Sequence, residues 1–146
     1  MTGELEAGPT VSITAPPGWD LYGSGDGLTE YDIVTAEMID EGGLSQLVVV
    51  SDQNLGISRE ETYETALGVY EEKDAYADVT ALDPISIDGA EFLGIEAVAQ
   101  MSAADLRVQY WFGEVDGSVL GIYVQHSSAE HIPDSLLSVR DSITFG

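Results

Sequence analysis

The chain has 146 residues, 44% apolar and 21% charged, which is enough hydrophobic material for one domain with a buried core and too much for a disordered tail. Twenty-seven Asp and Glu stand against four basic residues, Arg59, Lys73, Arg107 and Arg140, for a net charge of −23. Such a chain cannot assemble the positive patch of a nucleic-acid binder and repels anionic membrane surfaces, and without cysteine it has no disulfide, thiolate metal site or cysteine nucleophile.

The acidic excess reads first as a solvating surface and second as a means of meeting a basic partner. No apolar stretch approaches the roughly 18 residues of a membrane span, so direct insertion into a membrane is not expected. Residues 1–10 read as a loose acidic tail ahead of one α+β domain over 11–146. That start fits either a cytoplasmic protein or an exported one shorn of its leader.

Val11-Ser12-Ile13-Thr14-Ala15 alternates as a short strand and stops at Pro16-Pro17-Gly18, after which Trp19 is placed to cap the core. Gly23-Ser24-Gly25-Asp26-Gly27 lacks the spacing and the flanking strand and helix of a phosphate loop, and reads as a turn. Residues 31–38 and 45–51 form the next strand pair. Leu47 to Val50 is apolar without alternation, as in a strand covered on both faces. Ser58 and Glu61 make a capping box that opens a helix, and Tyr63, Ala66, Leu67 and Tyr70 form its apolar stripe.

Asp88-Gly89 and Asp116-Gly117 are two-residue hairpin turns, since both central positions need positive φ. The second turn sets Val115 opposite Ser118, and therefore Trp111 opposite Ile122, Tyr110 opposite Tyr123, and Arg107 opposite His126. A four-residue link over 102–105 would place Met101 against Leu106, Gln100 beside Arg107 and Ala97 beside Tyr110. Alternation then sorts the side chains. Leu93, Ile95, Ala97, Ala99, Met101, Leu106, Val108, Tyr110, Phe112 and Tyr123 share a core face. Glu96, Val98, Gln100, Arg107, Gln109, Trp111, Ile122, Val124 and His126 share the other. Tyr110 should therefore be less exposed than Gln109. Residues 130–141 read as a second helix with Pro133 in its first turn, and Ile143-Thr144-Phe145 as a return to the sheet edge.

A strand running into Pro-Pro-Gly-Trp (11–19), a capped acidic helix (58–70), a meander with Asp-Gly turns (87–92) and a helix before Ser-Ile-Thr-Phe (136–145) together resemble PsbP-like domains. That fold is shared by the photosystem II extrinsic subunit, the Ran-binding Mog proteins and actinobacterial envelope lipoproteins of the LpqN/LpqT type. The resemblance implies an antiparallel sheet with helices on both faces, an α/β/α sandwich, and a domain that binds rather than catalyses. It transfers no site residues, and the acidic surface departs from the Ran-binding relatives.

Catalytic and metal chemistry find little footing. His126 and His131, with Glu130, lie at a spacing wrong for one helical face and for one strand face. Asp26, Asp40, Glu41 and Asp88 lack the spacing of a calcium loop, and no serine sits in a nucleophile elbow. No cofactor is expected. The constellation that stands out is Glu96, Gln100, Arg107, Gln109, Trp111 and His126, where a Trp and an Arg supply the area and directed donors of a binding hot spot. The alternative is that Arg107 pairs with Glu96 or a neighbouring carboxylate and Trp111 packs under the C-terminal helix. The leading reading is a non-enzymatic binding or scaffold domain, the soluble part of an exported envelope lipoprotein, docking a protein or small amphiphilic ligand. Next comes an intracellular chaperone- or immunity-like module for a basic partner, and third a hydrolase.

Overall fold

The structure is a computed structural model, and it describes residues 2–4, 10–14, 18–22, 33–40, 43–52, 58–72, 76–100, 105–115, 117–127 and 132–145. In chain order the elements are β1 (Thr2–Glu4), β2 (Thr10–Ser12), β3 (Asp20–Tyr22), β4 (Ile33–Asp40), β5 (Gly43–Asp52), α1 (Arg59–Glu72), β6 (Tyr76–Ile87), β7 (Ala90–Gln100), β8 (Asp105–Val115), β9 (Ser118–His126), α2 (Asp134–Asp141) and β10 (Thr144–Phe145). A seven-stranded antiparallel sheet runs β3-β4-β5-β9-β8-β7-β6, and a small sheet runs β1-β2-β10. The fold class is α+β, an antiparallel sheet with one helix on each face.

The β8–β9 hairpin has the register that the Asp-Gly turn dictates. Val115 faces Ser118, Trp111 faces Ile122, Tyr110 faces Tyr123 and Arg107 faces His126. Gly117 takes φ +79°, and at the earlier turn Asp88 and Gly89 take +48° and +81°, the left-handed pair that a two-residue hairpin requires. The β7–β8 register differs from expectation by two residues: Gln100 faces Asp105, Val98 faces Arg107 and Ala97 faces Val108. A two-residue slide leaves every side chain on its own face, so hydrophobic alternation could not tell the two registers apart. Met101 and the Gly-rich segment over 23–27 lie outside the described residues, as do Asp26, Glu41, Asp116, Glu130 and His131.

Both faces of the large sheet are packed. On one, Tyr63, Ala66, Leu67 and Tyr70 of α1 meet Ile95, Tyr110 and Phe112, so the expected helical stripe is the contact stripe. Ser58 starts this helix by accepting the Glu61 amide on its Oγ at 3.2 Å. On the other face, Trp111, Leu120, Ile122, Val124, Leu47 and Val49 form the principal core with Leu136 and Val139 of α2 and with Val11, Ile13 and Ile143 around the small sheet. β5 is an interior strand as its apolar run suggests; Leu47 and Val49 are fully buried, while Val48 on the opposite face is half-buried.

Other boundaries are corrected. Thr2–Glu4 pairs with β2, where the sequence reads as a loose tail. α2 begins at Asp134 with Pro133 as its N-cap, because the extended ψ of 147° at Pro133 holds that residue outside the helix. Phe145 and Thr144 pair with Val11 and Ser12 in the small sheet and do not join the large one. Tyr110 is half-buried while Gln109 is buried, the reverse of the expected order, although the pairing itself is as derived. The exposure order assumed that polar Gln109 reaches solvent; α2 and the small sheet cover its face, as the alternative of Trp111 packing under the C-terminal helix implies.

Candidate functional site

The polar residues of the second face cluster where β5, β9, β8 and β7 run side by side. Ser45, His126, Arg107 and Val98 form one cross-strand row, and Leu47, Val124, Gln109 and Glu96 form the next. The row arises because each of these positions has the parity that points towards α2.

The polar members of these rows are held by internal partners. Arg107 Nη1 donates to Glu96 Oε1 at 2.9 Å, with 19% and 23% of the two side chains exposed. Gln109 Oε1 accepts from the Trp111 indole at 3.1 Å and from Arg140 Nη1 at 3.3 Å. The Arg140 guanidinium lies 5.4 Å from the Trp111 ring centroid, a cation–π distance, and also pairs with Asp141 at 2.9 Å. His126 Nδ1 and Ser45 Oγ share a hydrogen bond of 2.8 Å. Trp111 is 2% exposed, and Gln109 and His126 are 8% exposed.

Of the six residues singled out in the sequence, the structure therefore gathers Glu96, Arg107, Gln109, Trp111 and His126. It leaves Gln100 exposed at the margin, opposite Asp105. The reading of these residues as a binding surface is corrected for Trp111, Gln109 and His126, which are covered. Arg107 reaches its Glu96 partner, and Trp111 packs under α2. Two participants were missed. Arg140 had a signal, since it lies four residues after the buried Leu136 and so comes back to the inward side of α2. Ser45 had none, because its pairing with His126 joins strands far apart in sequence.

Chemically, the rows offer one buried serine–histidine hydrogen bond and one ion pair, Arg107–Glu96, and α2 adds the Arg140–Asp141 pair. On the opposite side of the molecule α1 turns Glu60, Glu61, Glu64, Glu71 and Glu72 outwards, with Val69 exposed among them. The described arginines are all engaged by carboxylates of the same chain: Arg59 by Glu60 and Glu91, Arg107 by Glu96, and Arg140 by Asp141.

No protein-family model matches the chain, and no curated protein matches it. Solved structures do share its fold. LpqN of Mycobacterium tuberculosis, a protein involved in cell envelope biogenesis, superposes with a TM-score of 0.56 at 12% identity, over 92% of this chain and 78% of LpqN. PA94 of Pseudomonas aeruginosa, a protein of unknown function, superposes with a TM-score of 0.52 at 17% identity, over 77% of this chain and 85% of the other. A Bacteroides thetaiotaomicron protein gives 0.57 at 11% identity, over all of this chain and 49% of the other. At such identities the likeness is one of fold: the chain is a distant structural relative of LpqN.

Proposed function

We propose that the chain is a non-catalytic binding or scaffold domain of an exported, PsbP-like envelope lipoprotein, and that it docks a basic protein partner. The observation that carries this reading is the charge arrangement. Twenty-three formal negative charges remain after the four cations are counted. The described arginines are already paired inside the chain, and α1 presents five glutamates to solvent. A surface of this kind attracts cationic partners over a Debye length and orients them before contact. The envelope setting is supported by the shared fold with LpqN.

The test uses envelope fractions passed over the immobilised domain and over a variant with Glu64, Glu71 and Glu72 changed to Gln. These three side chains are exposed and lie outside the first turn of α1, so the variant keeps the fold. The reading predicts a basic protein retained by the native domain and released by the variant. Reproducible turnover in an esterase, phosphatase and glycosidase panel, abolished by His126→Ala, would overturn it in favour of a hydrolase.

A further inference from the structure

The α1 face of the sheet carries a second arrangement that the docking of a basic protein does not use. Four tyrosines from four elements converge there: Tyr70 at the end of α1, Tyr76 at the start of β6, Tyr110 in β8 and Tyr123 in β9. Tyr70 and Tyr76 meet edge to face at 4.3 Å. Tyr110 stacks on Phe112 at 4.4 Å and meets Tyr123 edge to face at 5.5 Å. The ring of Tyr110 leans across Gly121, where any Cβ would lie 2.7 Å from it.

The place is a step in the fold. α1 packs on β6, β7 and β8, so Tyr110 and Tyr123 stand where the helix gives way to the neighbouring strands β9 and β5. Beyond Tyr123 the same face continues with Val48 directly opposite it, and then with the hydrogen-bonded side chains of Gln46 and Gln125. Tyr76, Tyr110, Tyr123, Val48, Gln46 and Gln125 are all half-buried. Among the described residues this makes a half-buried ledge of tyrosine rings bordered by Val48 and the Gln46–Gln125 amide pair.

We propose that this ledge, where Tyr70, Tyr76, Tyr110 and Tyr123 converge beside α1, binds a small organic cation of the alkylammonium or quaternary ammonium class. Ring faces carry negative electrostatic potential and hold such cations while also covering their carbon shell. Burial, and after it the neighbouring Tyr76 and Tyr110, pushes the Tyr123 phenol up to about 12, and burial raises Tyr70 as well, so these two phenols stay neutral hydroxyls. No described cation competes for the place. Arg107 and Arg140 belong to the opposite face, and Arg59 is bonded to Glu60 and Glu91 at the start of α1; Lys73 lies outside the described residues. In a chain of net charge −23 an anionic ligand is repelled from any such ledge, whereas a cation gains from the field.

The experiment is an NMR titration of the full chain, following the tyrosine ring resonances. The probes are choline and its neutral isostere, the alcohol in which a tert-butyl group replaces trimethylammonium. Saturable shifts centred on Tyr110 and Tyr123 are expected with choline, and the neutral isostere should bind about tenfold more weakly. Tyr123→Leu should lower choline affinity by about the same factor, while Tyr123→Phe, which keeps the ring, should retain it. Equal binding of the two probes overturns the proposal and needs no variant. So do shifts confined to exposed carboxylates, or an unchanged affinity in a folded Tyr123→Leu. None of these outcomes bears on the capture of a basic protein by α1.

Discussion

Around Trp111 the packing is closed from three directions. Gly94 lies beneath the indole, where a Cβ would come within 2.3 Å of the ring; Gln109 takes the indole N–H; Arg140 lies over the face. Trp111→Ala should therefore cost about 3–5 kcal/mol in urea unfolding, the range of a buried aromatic. A loss near zero would show that the ring is not core. Gly94→Ala should cost about 1–3 kcal/mol, because the indole must move to admit the methyl group. Tyr123 adds a pH dependence. Its phenol is raised from the ordinary value of 10 to about 12 in the folded chain, so this contribution to stability is complete below pH 10 and is lost as pH rises towards 12. Alkaline melts should show that loss, and Tyr123→Phe should blunt it. At this scale the sequence made the parity of each side chain readable, and with it a carboxylate partner for Arg107, of which Glu96 was one candidate. Cover of Trp111 by the C-terminal helix was readable as an alternative, but the share contributed by Val11, Ile13 and Ile143 was not, since those residues come from near both ends of the chain.

Turns and caps set the elements. The two positive φ values at Asp88 and Gly89 close β6 onto β7, and the Asp88 carboxylate also accepts the Phe145 amide at 2.8 Å, tying this turn to β10. Asp88→Ala should destabilise the chain by on the order of 1–3 kcal/mol, the range for a hydrogen bond to a charged group. It should also speed amide exchange in β10 more than in β8; equal effects in the two strands would contradict the tie. The helix stripe and the Asp-Gly hairpins were legible because each signal lies within a few residues. The β7–β8 offset was not, because sliding by two residues preserves both faces. Nor was the β10–β2 pairing of the small sheet, which joins Thr144 and Phe145 to Ser12 and Val11 across nearly the whole chain. Pairings of that reach are decided by packing on the large sheet, and no local pattern announces them.

For the whole molecule, net charge bears on stability and underlies the proposed partnership. With 27 acidic residues against four basic ones, self-repulsion acts on the compact state. Moderate salt, or mild acidification towards about pH 5, should raise the melting temperature, because either one weakens that repulsion. A melting temperature that falls steadily with salt would mean that the three arginine ion-pair centres outweigh the net field. Docking is the central claim and has the more direct test: the affinity of a captured basic partner, measured from low to high salt. The account predicts a steep fall in affinity with salt, carried mainly by slower association, as expected when exposed charge steers encounter. An affinity that holds constant across that range, or that strengthens with salt, would contradict it and assign the interface to apolar contact.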